Sequence, residues 1–279
     1  LLPFQLTFLN YFYATLNARP HPLSFIPPTA ARKTVMMSQI TRDALSRGRR
    51  VLILVDKNKL VSQTEDKIRK FGIQSIGFIK AGYPTDPDAK LQIGSLQTME
   101  RRSAYWQQFK FDLIVFDETH ETGFRNVSQR IRENNPEAWI LGFTATPWRL
   151  KKKEYLGMHY EDSVIAPTPS ALQKLGFLCP MKYYSLYDPD LSGVKIQAGD
   201  YKVDDLSIAV DNNETLSKVV DEWKRITPDK STIAFCVDVK HSYHLRDTFI
   251  AAGIPAETVV GEVSDSERER LYAALDSGE

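Results

Sequence analysis

The chain is poor in cysteine, has no long apolar run and carries almost no net charge. Cys179 and Cys236 are its only cysteines. That is too few for disulfides to staple a fold of this size, so a reducing cytoplasm is the expected compartment and both thiols are expected as small core residues. No apolar stretch approaches the roughly 20 residues that cross a bilayer, and no membrane partner is expected. The opening LLPFQLTFLNYFYATL is broken by Gln5, Thr7 and Asn10 and has no basic leader, so it is not read as a signal peptide. Lys and Arg number 36 against 35 Asp and Glu, a balance of +1. Such a balance excludes a polycation that holds nucleic acid by bulk charge, and leaves room for a local basic groove. Internal repeats and low-complexity segments are absent too, which excludes a solenoid.

What is present is an ordinary globular composition, 42% hydrophobic and 25% charged over 279 residues. Disorder, collagen and coiled coil are excluded, and the length suits two domains at roughly 150 residues each. The chain opens without Met and ends at Glu279 with no stop signal for the fold, as a fragment would.

The dominant rhythm is a short β-branched run followed by an amphipathic helix. LSFIPP (23–28) leads into a helix expected from Thr34 to about Arg47. VLILVD (51–56), IQSIGFI (73–79), LQIGSL (91–96), FDLIVFD (111–117) and AWILGFT (138–144) follow, with helices between. Continuous apolar runs are the mark of strands covered on both faces, and alternation with helices implies right-handed βαβ crossovers. The fold class is therefore α/β with parallel sheets. The rhythm loosens after Pro147, where Lys151–Lys153 and Pro167, Pro169 and Pro180 read as a passage between domains. It resumes with a helix at 214–226, a strand at 231–237, a helix His241–Ala252 ended by Gly253, a strand at 256–261 and a helix from Ser264. The expected domains are 1–160 and 161–279, the second incomplete.

Three places carry chemistry. PPTAARKT (27–34) is a strand-to-helix turn ending in Lys33-Thr34. A phosphate loop needs inward N–H groups, a helix N-terminus, a Lys to reach the β/γ-phosphates and a hydroxyl for Mg²⁺, and Lys33 and Thr34 suit the last two roles. LIVFDETH (113–120) puts acids at the C-terminal end of a central strand, where open α/β sheets bind ligands. Asp117 suits Mg²⁺ and Glu118 suits polarising an attacking water. GFTATPWRL (142–150) places Thr144 and Thr146 beside the same crevice. The plainer readings are an ordinary helix start at Lys33-Thr34, solvated carboxylates at 117–118, or a metal site of Asp117, His120 and Glu121 that has no second His/Cys cluster to complete it. His241 and His244, one turn apart, read as surface or packing residues. The basic groups Arg47/Arg49/Arg50, Arg101/Arg102 and Lys151–Lys153 read as solvated faces.

TAARKT, VLILVDKNKLVSQ (51–63), IGSLQTM (93–99), DETH and GFTATP together resemble motifs I, Ia, Ib, II and III of superfamily 2 DEAD/DEAH-box-like helicases. The branch is that of RadD-type repair helicases, XPB-like translocases and type III restriction motors. LLPFQ is similar to that family's LRPYQ, which makes Gln5 a candidate for adenine recognition. LQKLGFLCPMKYY (172–184), TIAFCVDVKHSYHL (232–245) and VVGEVSDSERERLYAALDSGE (259–279) resemble the entry to the second domain, motif IV and the stretch before motif V. The resemblance implies two RecA-like P-loop domains, the second truncated, and a cytoplasmic ATP- and Mg²⁺-dependent DNA helicase or translocase, a hydrolase of repair or restriction. It further implies a nucleotide loop of Thr29, Ala30, Ala31, Arg32, Lys33 and Thr34. Nucleic acid, DNA rather than RNA, would meet Lys57, Gln97, Thr98 and Arg101, and Thr144 and Thr146 would couple the two sites.

Two departures bear on activity. Where the family reads GAGKT, this chain reads Ala30-Ala31-Arg32-Lys33-Thr34. Glycine lets backbone approach phosphate closely, whereas the Arg32 side chain has two options: to swing out to solvent, or to fold in toward Asp117 or Glu118 and occupy the space meant for Mg²⁺ and the γ-phosphate. Motifs V and VI, with their arginine finger, do not follow within the chain. The competing expectation is therefore an ATPase-impaired nucleic-acid-binding module or a helicase fragment.

Overall fold

A computed structural model describes residues 1–15, 22–28, 33–55, 58–83, 85–119, 124–147, 157, 159–185, 189–197 and 199–278. The chain divides into two compact units, Leu1–Pro180 and Met181–Glu279.

The first unit runs α1 (Pro3–Thr15), β1 (Pro22–Ile26), α2 (Lys33–Ser46), β2 (Val51–Val55), α3 (Asn58–Lys70), β3 (Gly77–Ile79), β4 (Leu91–Ser95), α4 (Leu96–Arg101), α5 (Ser103–Trp106), β5 (Leu113–Asp117), α6 (Phe124–Asn134), β6 (Trp139–Phe143), β7 (Asp162–Ile165) and α7 (Pro169–Lys174). Its seven strands form one sheet in the order β3-β4-β2-β5-β6-β1-β7, with every neighbouring pair parallel. Successive side chains of a strand point to opposite faces. Along β2, Val51, Ile53 and Val55 accordingly join the core with Phe8, Met36, Val61 and Ile68, from α1, α2 and α3. Leu52 and Leu54 join the other core with Met99, Trp106, Val127 and Ile131, from α4, α5 and α6. Both faces are buried, which is why β2 and residues 113–116 of β5 read as unbroken apolar runs.

The seventh strand lies outside the sequence expectation. Residues 162–165 fall in the stretch read as an interdomain passage, yet Leu23 to Ile26 of β1 pair with Asp162 to Ile165. As an edge strand, β7 shows only half-buried and exposed positions, and an apolar-run criterion passes over it. The first unit thus reaches Pro180, past the boundary expected at 160.

The second unit contains β8 (Ile196–Gln197) and β9 (Asp200–Tyr201), an antiparallel pair, then α8 (Val203–Val210), α9 (Asn213–Ile226), α10 (Val239–Ala251) and α11 (Asp265–Ser277). Asn212, Asp238 and Ser264 cap the last three of these helices through their side chains. The segments 231–237 and 256–261, expected as strands, carry no strand pairing. Parallel strands are stable only with a ladder partner and covered faces, whereas Ile233 is 63% and Phe235 95% exposed. The expected burial of the cysteines also fails: Cys179 is exposed and Cys236 only half-buried.

The two units should therefore respond differently to truncation. Ile53→Ala is expected to cost about 2–5 kcal/mol, and Phe235→Ala less than about 0.5 kcal/mol, in urea unfolding followed by circular dichroism. Equal losses would mean that Phe235 is as buried as β2.

Candidate nucleotide site at the strand ends

Because all seven strands run the same way, their C-terminal ends lie along one edge. The register sets Phe25 of β1 beside Phe143 of β6, and Phe143 beside Asp117 of β5. With neighbouring strands about 4.8 Å apart, the exit of β1 and the acidic end of β5 stand on either side of β6. The next helix in the chain after β1 is α2, whose first residue is Lys33.

Lys33 reaches across that gap. Its ammonium is ion-paired with Glu118 Oε1 and lies 3.8 Å from Asp117 Oδ1. The Glu118 amide donates to Asp117 Oδ1 at 3.1 Å, which aims that carboxylate. Burial pushes the Asp117 carboxyl above the ordinary aspartate value; the Lys33 ammonium pulls it back down and the neighbouring Glu118 carboxylate pushes it up again. The three side chains remain 18–31% exposed, so the cluster is open to an incoming ligand.

Glu118 adopts a left-handed backbone, φ 54°, alone among the described non-glycine residues. For a residue with a Cβ that conformation costs about 1–2 kcal/mol. Its neighbours hold it there: the Thr119 amide donates to Phe143 O at 3.1 Å, and Thr119 is wholly buried. Directly after β6 the Thr144 amide donates to Phe25 O at 3.1 Å, and the Thr144 hydroxyl both donates to Thr146 O (3.0 Å) and accepts from the Thr146 amide (3.1 Å). Thr144 is thereby built into the turn while Thr146 is exposed.

Of the other residues singled out by sequence, Thr34 is half-buried in the first turn of α2. Gln5 is buried in α1, its Oε1 accepting from the Leu2 amide at 2.7 Å. Gln97 and Arg101 are exposed on α4. Thr98 is buried and bound to Ser95, which caps that helix. Thr29, Ala30, Ala31, Arg32, Lys57, His120 and Glu121 lie outside the described residues. Sequence reasoning missed Tyr160 and Gly142, which pack against Thr119; the one available signal was the small residue opening GFTATP.

The donor set suits a phosphate-bound hard cation. Asp117 and Thr34 carry oxygen donors of the kind Mg²⁺ prefers, and Mg²⁺ takes one or two carboxylates together with substrate phosphates. No cluster of three or more His, Cys, Asp or Glu residues able to hold a metal by themselves occurs among the described residues.

A family model described as "Type III restriction enzyme, res subunit" matches residues 1–149. A 51.5 kDa protein of a Lactococcus phage is 28% identical over 251 residues, covering 90% of this chain and 52% of the phage protein. The putative ATP-dependent helicase IRC3 of Saccharomyces cerevisiae is 28% identical over 239 residues, covering 82% of this chain and 34% of the yeast protein. The chain spans about half the length of the first relative and a third of the second. Among solved structures, the DUF1998 helicase MrfA matches with a TM-score of 0.60 at 16% identity, over 100% of this chain and 42% of that one, a likeness of fold.

The ion cluster makes a pH-dependent prediction. A carboxyl raised in the folded state contributes stability that is full below the unfolded aspartate value and is lost as pH rises through the raised one. Lys33 opposes that loss. Lys33→Met should therefore lower stability more at pH 8 than at pH 4, with an excess of roughly 1–3 kcal/mol at the higher pH. Urea midpoints at the two pH values measure it, and equal losses would show that the ammonium does not compensate the acids.

Proposed function

The chain belongs to the family described as the res subunit of type III restriction enzymes, a family of helicase-like nucleic-acid motors, and from that membership we propose that it works as an ATP-dependent translocase or helicase on DNA. One observation carries the reading: the Lys33 ammonium sits against both Asp117 and Glu118 at the ligand-binding edge of a parallel sheet. A lysine at the start of a helix and an acidic pair across one strand are what a nucleoside triphosphate with its metal requires.

In this proposal Lys33 takes the β/γ-phosphates, Thr34 and Asp117 hold Mg²⁺, and Glu118 orients the attacking water. Magnesium, when bound, neutralises charge developing on the phosphates. Gln5 is assigned to adenine and residues 29–32 to the phosphate loop. Thr144 and Thr146 pass closure on to the nucleic acid, a population shift driven by differential affinity. Gln97 and Arg101, exposed on α4, and Lys57 are assigned to the phosphate backbone, which such motors track with little sequence preference. DNA is favoured over RNA because restriction enzymes act on DNA. No helix among the described residues is long and apolar enough to cross a membrane, and the proposed place of work is the cytoplasm.

A second reading is favoured by Arg32, which stands where the family has glycine. In this reading its guanidinium would compete for the acidic pair, leaving a nucleic-acid-binding module with weak nucleotide affinity. Titrating a fluorescent ATP analogue with Mg²⁺ separates the two. The paired substitution Ala30→Gly/Arg32→Gly should tighten binding by at least about tenfold. Lys33→Met or Asp117→Asn in that background should abolish it. A repaired chain that still binds no nucleotide sinks the motor reading, and equal micromolar affinities before and after repair sink the role given to Arg32.

A further inference from the structure

We infer that Tyr160 is a positioning residue, a plug that locks the acidic turn at 117–119 to the end of β6 so that the two move as one. The inference rests on the nucleotide-motor reading for its purpose but on packing for its substance.

Tyr160 is 4% exposed, and its ring belongs to the core on the α6 side of the sheet. Its hydroxyl end occupies the place where Gly142 would carry a side chain. A Cβ built on Gly142 overlaps the Tyr160 hydroxyl and Cζ, and would lie 2.7 Å from Thr119 Cγ2. Gly142, Thr119 and Tyr160 thus meet at one point, with no space for a methyl group. The glycine that opens GFTATP is explained by this contact, since its own backbone is not left-handed.

Tyr160 is fixed from behind by α6, the helix that follows the acidic turn in the chain. The Arg132 guanidinium lies 5.5 Å from the Tyr160 ring centroid, and Arg132 Nη1 donates to His159 O at 2.6 Å. Cation–π contact and a charge-assisted hydrogen bond hold the two residues from one side chain.

The consequences run in both directions from the plug. On one side Thr119 follows directly on Glu118, whose left-handed backbone persists only while its surroundings over-determine it. On the other, Gly142 leads through Phe143 to Thr144, which is tied to β1 by its amide and to Thr146 by its hydroxyl. Close-packed interiors transmit displacement because they contain no slack. A shift of Glu118 on nucleotide binding therefore reaches Thr144 and Thr146 through Tyr160 as well as through the Thr119–Phe143 hydrogen bond.

The test is a rescue experiment read by amide hydrogen exchange in the full chain. Gly142→Ala should speed exchange at the Thr119 and Thr144 amides by at least about tenfold while leaving β2 and β4 unchanged. Adding Tyr160→Leu, which withdraws the overlapping ring end and lets the new methyl at 142 fill the space left beside Thr119, should restore part of the lost protection at both amides. If Gly142→Ala does not fold, Tyr160→Leu alone serves, with loosening expected at the same two amides. In parallel, a non-hydrolysable ATP analogue should shift duplex-DNA affinity in the parent, not in Gly142→Ala, and again in the rescued pair. Unchanged exchange at Thr119 and Thr144 in a folded variant overturns the inference. So does a uniform loss of protection across the sheet, which a mere core filler produces. A parent chain that binds no nucleotide while the exchange pattern holds removes the motor reading and leaves the lock standing.

Discussion

A single ammonium group standing between two carboxylates organises the first unit. Lys33 begins α2, Asp117 ends β5, and β6 separates their strands, so the cluster exists only if three parallel strands stop at the same height. That alignment depends on the sheet's register, which the parallel ladder of β1, β6 and β5 and the distinct packing on each face hold in place. The core and the site are therefore one constraint. Without a ligand one ammonium serves two carboxylates, which leaves the cluster with an excess of negative charge.

Much of this was legible in the residues. The apolar runs at 51–55, 91–95, 111–117 and 138–143 name strands buried on two faces, and the chemistry-bearing residues follow their C-terminal ends. Sequence spacing does not determine which strands are neighbours, so the meeting of residues 33 and 117 could be expected from family resemblance but not from periodicity. The edge strand β7 was illegible because half of its pattern faces outward and its apolar signal is diluted. Tyr160 was illegible for another reason. It belongs to no local pattern, and its role arises from a contact with glycine, which leaves no hydrophobic trace.

The second unit teaches the opposite lesson. The runs at 231–237 and 256–261 have β-branched composition, yet composition does not make a strand; a hydrogen-bonding neighbour does. The helices around them are well specified by capping side chains, a local device that needs no partner from elsewhere in the fold. Trp223 Nε1 donates to the Thr232 hydroxyl at 2.8 Å, and the Thr258 hydroxyl donates to Ser242 O at 3.3 Å, so both apolar segments are fastened to helices α9 and α10. Local signals were realised and non-local ones were not.

The places where this chain breaks local rules are also the places its proposed chemistry uses. Glu118 takes a backbone conformation that residues with a Cβ avoid, and Asp117 is a half-buried acid beside a like charge. Each is unfavourable by itself, and a fold selected for stability alone would place neither at the end of β5. The surrounding core offsets both, with β6 and β1 supplying hydrogen bonds and Tyr160 supplying bulk. Strain that is this local, and this thoroughly supported, is best understood as geometry kept for a ligand. The left-handed residue Glu118 is also the one whose carboxylate pairs with Lys33, the first residue of α2, so the unfavourable conformation and the ion pair fall on one residue.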